Sequence, residues 1–352
     1  MLRFFFHRPG RLGQSRARSK SGLFLGSLLA LSAGGCHSAR PKAPASEPVP
    51  QKASEDVPAT LAQAPSPPIL LQEVGFASPR AALYDTEADV YLVSNSNGAP
   101  TDADGNGFIS RVSPEGALLT LKWIDGANGV GLDAPKGMAL SGDKMYVADI
   151  NVVRSFDRKS GEAVGKVAIL GARSLEALAL GPDGTLYASD SGLGKMKGKG
   201  DELQPTGTDA IYAIDPRGVS RTLVKGPELG QPTGLLAEAA GLWVTNLGGE
   251  VYRVAVDGQR APGVRLPGAR LQGLVETELG RLVIACDETS TVYIGKRPAD
   301  AGADGVAPPA TFTPLITDLP APGQITYDRK RRQLVVPQVE SNALYIQQIP
   351  AG

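Results

Sequence analysis

The stretch APKGMALSGDKMYVADIN, from Ala134 to Asn151, decides the fold. It holds a Pro-x-Gly opening, an apolar run Met138-Ala139-Leu140, a Gly-Asp turn, and a second run Met145-Tyr146-Val147 that closes on Asp149. Runs of this length bounded by Gly and Asp predict the two strands of a tight hairpin. One hairpin decides little. Its recurrence decides the architecture, since self-similarity along a chain marks repeat folds.

The same opening recurs as SPRAALYD from Ser78, SLEALAL from Ser174, QPTGLLA from Gln231, RLQGLVE from Arg270 and APGQITY from Ala321. The copies are spaced by roughly 40 or roughly 55 residues, the period of blade-like repeats. Each is followed by a polar turn and an apolar run: YLVSN, MYVAD, LYASD, LWVTN, LVIAC-D and LVVPQ. These runs close on Asn95, Asp149, Asp190, Asn246, Asp287 and Gln338. A third strand follows in all six units, and a fourth in the first five; unit six reaches Gly352 without one. The unassigned β-like segment Pro68–Phe76, PILLQEVGF, is predicted to supply it, closing the ring without an exposed edge. The expectation is an all-β, six-bladed β-propeller with four strands per blade over residues 68–352. Insertions at 98–107 and 191–209 fall between strands two and three, on the front face where the openings begin. Loops there rim the central channel.

Composition agrees. The chain has 352 residues, 43 of them Gly and 28 Pro, and a formal net charge of zero. Turn-rich composition favours an all-β domain, and zero net charge gives no electrostatic case for nucleic acid.

Residues 1–36 read as a targeting segment and stand outside the fold. Arg3, Arg8, Arg11, Arg16, Arg18 and Lys20 make a basic region, and Leu23–Ala33 an apolar one too short to span a bilayer, which takes about 20 residues. The segment ends in Ala33-Gly34-Gly35-Cys36, which resembles the bacterial lipoprotein box, with Ala33 where the commonest box has Leu. The resemblance implies that Cys36 is acylated and joins the protein to a lipid bilayer, each buried methylene contributing about 0.8 kcal/mol. His37, standing where an inner-membrane retention signal would be Asp, implies the outer membrane. Residues 37–67, rich in Pro, Ala, Ser, Lys and Glu, read as a disordered tether. The other cysteine of the mature chain, Cys286 in LVIAC, reads as a buried small hydrophobe.

From Pro68 onward the units resemble the senescence-marker-protein/gluconolactonase/regucalcin-like propellers, with NHL-repeat propellers as neighbours. APKGMAL…MYVADIN…VRSFDRKSGE and SPRAALYD…DVYLVSNSNG…GFISRVSPEG carry the resemblance. It implies lactone or phosphoester hydrolysis around one divalent cation such as Ca2+, held by carboxylate and Asn oxygens at the strand-one openings. Here those positions hold Arg80, Lys136, Glu176, Thr233, Gln272 and Gly323. Arg80 stands where the family has a Glu, and a fixed cation repels a metal. The only histidines, His7 and His37, lie outside the propeller. Ser-His-Asp and Cys-His nucleophiles, His-ligated zinc and the His bases of paraoxonase-type lactonases are thereby excluded.

Three further groups are candidates. Asp102-Ala-Asp104-Gly-Asn106-Gly107 matches the opening of an EF-hand loop, with Ser113 where its final Glu belongs. The six residues closing strand two read as loop caps, although Asp190, Asn246 and Asp287 with Glu176 form an alternative metal set. Lys195, Lys197 and Lys199 would add positive charge to the front face.

These readings converge on a monomeric, membrane-anchored propeller that binds a ligand or protein and performs no chemistry. Its channel is lined by Arg80, Lys136, Glu176, Thr233 and Gln272, and its partner is an envelope protein or an anionic small molecule. A divalent-metal-dependent lactonase or esterase is the alternative.

Overall fold

The computed structural model describes residues 66–126, 131–196, 198, 202–298 and 311–350. Cys36, the tether as far as Pro65, and Lys197 and Lys199 lie outside the described residues. Among the described residues no helix is long and apolar enough to cross a membrane.

The protein is a six-bladed β-propeller. A short strand, β1 (Ile69–Leu71), precedes the first blade, which comprises β2 (Pro79–Asp85), β3 (Val90–Asn95), β4 (Phe108–Val112) and β5 (Leu118–Ile124). Blade two holds β6 (Pro135–Ser141), β7 (Lys144–Asp149), β8 (Val152–Asp157) and β9 (Ala163–Ala168). Blade three holds β10 (Leu175–Leu180), β11 (Leu186–Asp190), β14 (Ala210–Ile214) and β15 (Ser220–Lys225), interrupted by a hairpin of β12 (Leu193–Lys195) and β13 (Leu203–Pro205). Blade four is β16 (Pro232–Glu238), β17 (Gly241–Asn246), β18 (Glu250–Ala255) and β19 (Val264–Arg265). Blade five is β20 (Leu271–Glu276), β21 (Arg281–Cys286), β22 (Thr291–Lys296) and β23 (Phe312–Ile316). Blade six is β24 (Thr326–Asp328), β25 (Gln333–Gln338) and β26 (Ala343–Gln348), completed from the other end of the described chain by β1.

The closing strand is shorter than Pro68–Phe76. Pairing runs from Ile69↔Ile346 to Leu71↔Leu344, after which Glu73 (φ 57°) and Gly75 (φ 99°) turn the chain away. Closure has two further components. Gln324 N–H donates to Arg80 O and Ala82 N–H to Gln324 O, each at 2.9 Å, joining the inner strands of blades six and one in parallel. Further out, Tyr91 donates to Asp328 at 3.0 Å, and Arg331 bridges Asp89 and Asp328.

The core is six layers, one at each blade junction. Side chains alternate across a strand, so adjacent residues face opposite neighbours. Val90 and Leu92 of β3 join Met138, Met145 and Val147 of blade two, while Tyr91 and Val93 join Val335 and Leu344 of blade six. Every position of β3 is therefore buried, and its sequence is apolar without alternation until Ser94 and Asn95. The outer strand β9 is mostly exposed and correspondingly mixed.

The innermost strands of blades one to five carry a one-residue bulge near their start. The register shifts between Pro79 and Ala81, Pro135 and Met138, Leu175 and Leu178, Pro232 and Leu235, and Leu271 and Leu274. In three blades a hydroxyl occupies the gap. Ser94, Ser189 and Thr245 accept the N–H of Ala81, Ala177 and Gly234, and donate to the carbonyls of Lys136, Thr233 and Gln272 in the next blade. One side chain thus satisfies a bulge and fastens two blades.

A buried hydroxyl with two partners contributes about 1 to 3 kcal/mol, the cost of leaving them unpaired. Thr245→Val, nearly isosteric, is expected to lower stability by that amount, read from the shift in urea midpoint. Asp85 supplies a pH-dependent case. Burial alone would raise its carboxyl, but Arg158 and the N–H groups of Ala88 and Glu87 outweigh this and hold it below the usual range. A depressed carboxyl stabilises the fold above its unfolded value, about 3.9, and that contribution disappears as pH falls through the lower folded value. Asp85→Asn is therefore expected to be less stable than the parent at pH 7, with the difference shrinking in urea melts below pH 4.

Candidate functional site

Because of the bulges, the third residue of an opening is free to turn toward the propeller axis. Arg80, Lys136, Glu176 and Gln272 do so, lining a front-face cavity of about 160 Å³ together with Gln324, Arg270, Asp287 and Glu340. Four of the five predicted channel residues meet there. Thr233 does not: it is 1% exposed, and its hydroxyl donates to Leu271 O at 2.6 Å inside the blade junction. In blade six the inward side chain comes one position later than expected. Gly323 abuts the neighbouring strand, where a Cβ would lie 2.4 Å from Arg80 O, and Gln324 projects instead, its Nε2 3.4 Å from Thr233 O.

Lys136 and Glu176 form the centre of the cup. Lys136 is 1% exposed, yet its Nζ donates to Glu176 Oε1 at 2.9 Å and to Ser174 Oγ at 2.7 Å. Glu176 Oε1 also accepts from Ser174 at 2.8 Å and from Ser191 at 2.9 Å. Burial and the nearby Arg80 charge pull Lys136 below the usual lysine range against the opposing pull of Glu176. Burial would raise Glu176, but Lys136, Arg80 and the donors at Oε1 prevail and hold it below the usual carboxylate range. Glu176 is therefore ionised.

Arg80 is half-buried. The interactions of its guanidinium are through space, with Lys136 and Glu176; among the described residues it has no ion pair or hydrogen bond. The inner group of Arg80, Lys136 and Glu176 thus carries a net positive charge, and the Glu340 carboxylate lines the same cavity. At the mouth, Arg270 Nη2 pairs with Asp287 Oδ2 at 2.6 Å. Sequence reasoning missed Arg270, Gln324 and Glu340; RLQGLVE did place Arg270 two residues from the channel position Gln272, on a front-face loop.

The residues closing strand two behave as caps. Asn95 accepts from Ala77 N–H, Asp149 from Asp133 and Ala134, Asp190 from Arg173, Ser174 and Gly192, and Asn246 from Glu250. In blade five the cap position belongs to Cys286, paired with Leu271, and not to Asp287. Its buried thiol donates to Ala269 O at 3.1 Å. Asp287, one residue on, is displaced to the mouth. The alternative metal set of Glu176, Asp190, Asn246 and Asp287 is accordingly divided between the cup, two caps and the mouth. Among the described residues no three His, Cys, Asp or Glu side chains stand together. In the EF-hand-like loop, Asp102 pairs with Lys195 at 2.7 Å, and Asp104 holds Asn106 Nδ2 at 2.6 Å. That contact links the two front-face insertions of blades one and three.

No family model matches this chain, and no curated protein matches it. Solved structures do. A gluconolactonase from Xanthomonas campestris superposes with a TM-score of 0.57 at 16% identity, covering 80% of this chain and 89% of that one. A luciferin-regenerating enzyme gives 0.56 at 11% identity over 81% and 96%. A streptogramin B lyase gives 0.52 at 10% identity over 80% and 98%. At such identities the shared property is the propeller fold.

Removing one member of a buried ion pair typically costs about 3 to 5 kcal/mol, because the other charge is stranded. Lys136→Met is expected to destabilise the protein on that scale. The double variant Lys136→Met/Glu176→Gln should recover most of the loss, with both read from denaturation midpoints at one pH.

Proposed function

We propose that this protein is a binding propeller whose front-face cup receives a small oxyanion, with Arg80 as the recognising cation. The net positive charge of Arg80 with the buried Lys136–Glu176 pair carries the reading. An anion set against Arg80 balances that charge, and a guanidinium offers parallel N–H donors matched to carboxylate or phosphate. Gln272 and Gln324 add neutral amides to the same cavity. The Lys136 ammonium already neutralises Glu176, the strongest hard ligand among the channel positions, so a divalent cation entering there would have to displace it. The reading includes an exported, monomeric protein acylated at Cys36 and held at the bacterial outer membrane. There an envelope protein could meet the broad front face without entering the cup.

Calorimetric titration with acetate, lactate, phosphate and gluconate tests the cup. Binding of one carboxylate or phosphate, weakened about tenfold to a hundredfold in Arg80→Gln, is expected for loss of one charge-assisted contact. A panel that binds nothing refutes the reading. The second reading, a divalent-metal-dependent lactonase or esterase, rests on the fold shared with the gluconolactonase. It predicts chelator-sensitive hydrolysis of an aldonolactone and a thermal shift with Ca2+. The anchor is tested independently: Cys36→Ser should leave unprocessed precursor or release protein from the membrane fraction, and unchanged processing and partition would refute acylation.

A further inference from the structure

We infer that Lys136 is a carbonyl-reactive amine, and that the cup captures short-chain 2-oxo acids covalently as an imine on its Nζ. The inference rests on the anion-binding reading, because Arg80 supplies the carboxylate contact that presents the adjacent keto carbon.

Geometry is the first argument. A lysine ammonium has three N–H directions. Two are used, toward Ser174 Oγ at 2.7 Å and Glu176 Oε1 at 2.9 Å. Lys136 is also one of the residues that line the front-face cavity, beside Arg80. When the amine is neutral, its two N–H groups keep the Ser174 and Glu176 contacts and the lone pair takes the third direction. In the proposed reaction that lone pair faces the cavity that Lys136 and Arg80 line together.

Chemistry is the second. Lysines become nucleophilic at neutral pH when desolvated or placed beside another cation. Lys136 has both conditions: it is 1% exposed, and Arg80 acts on it through space. Glu176, Asp190 and Arg80 are the charged groups that act on this amine, and Glu176 is the one in contact with it. A reactive amine beside a carboxylate-binding cation selects a compound that has a carbonyl next to a carboxylate.

The step balances without another reagent. Glu176 Oε1 takes one proton from the Lys136 ammonium, and the freed lone pair attacks C2 of the oxo acid, forming the N–C bond as the C=O π pair moves to oxygen. Glu176 returns that proton to the oxygen, takes a second from nitrogen and delivers it to the same oxygen, which departs as water with the C–O pair while the nitrogen lone pair closes the C=N bond. A protonated imine remains, paired with the Glu176 carboxylate, which ends ionised as it began.

The experiment treats the whole protein with pyruvate and sodium cyanoborohydride, followed by intact mass and peptide mapping. One reduced adduct per chain on Lys136 is expected, formed roughly tenfold faster than on any other lysine, as an activated amine should be. Lactate, which has the carboxylate and no ketone, should slow the labelling. Arg80→Gln should slow it about tenfold at low pyruvate, the scale of one lost charge-assisted contact. The folded double variant Lys136→Met/Glu176→Gln should lose the adduct. Labelling scattered over surface lysines overturns the inference. Lactate binding by calorimetry without a Lys136 adduct overturns it while leaving the anion cup standing, and absence of both removes the cup as well.

Discussion

The structure depends on how closely six inner strands can approach around one axis. At Gly137, Gly234 and Gly273 a Cβ would sit 2.5, 2.4 and 2.5 Å from backbone atoms of the next blade's inner strand. No side chain fits at that separation, so these positions are glycine, and the parallel neighbours are Ala81 and Ala177. Where the backbones come this near, the inner strands of blades one to five leave their own ladder by one residue, and the bulge results. The bulge then does two things at once. It frees the preceding side chain to enter the channel, and it strands an N–H that Ser94, Ser189 or Thr245 must accept. Ring closure, channel lining and blade-to-blade fastening therefore share a single geometric cause.

That cause also limits what the channel can hold. Each inner strand offers one side chain to the front cup, with Arg270, Asp287 and Glu340 added at its rim, and in blade four the candidate, Thr233, turns back into the junction. The remaining positions supply two cations, one carboxylate and two amides. Gln324 also lines a second cavity, where Met138, Leu140, Leu178, Leu235 and Ile325 stand with Arg158, Tyr84, Thr86 and Thr326. Arg158 is paired there with Asp85, so the two cavities hold separate ion pairs. The pairing of Lys136 with Glu176 is what allows two cations to coexist in the front cup. Without Glu176, the buried Lys136 ammonium and Arg80 would repel each other with no carboxylate between them.

Much of the fold was legible because the repeat carries it. Six openings, six capped runs and an orphan strand at Pro68–Phe76 sufficed to count blades and close the ring, even though the closing pairs extend only over Ile69–Leu71. The caps were legible too, since Asx side chains at strand ends have few other uses. The site was less legible, for local reasons. In LVIAC-D the acid looked like the fifth cap by analogy with its counterparts, but the thiol of Cys286 takes that place and Asp287 moves one residue toward the mouth. Threonine at position 233 gave no sign of which way its hydroxyl would turn, because the acceptor, Leu271 O, belongs to another blade. Gln324 was hidden by Gly323, whose role is the close approach to Arg80 and not the channel.

Those misreadings concern single-residue offsets, and in a propeller an offset of one decides whether a group faces a blade junction or the axis. Lys136 and Glu176 escape that uncertainty because their burial leaves one workable arrangement. An ammonium excluded from water must find its carboxylate, and the carboxylate must fill its remaining capacity with Ser174 and Ser191. The pair is therefore fixed by desolvation, while Arg80, half exposed and unpaired among the described residues, is fixed by nothing in the protein itself. The cup thus combines one rigid ion pair with one cation that makes no ion pair among the described residues, and the proposed anion site rests on that difference.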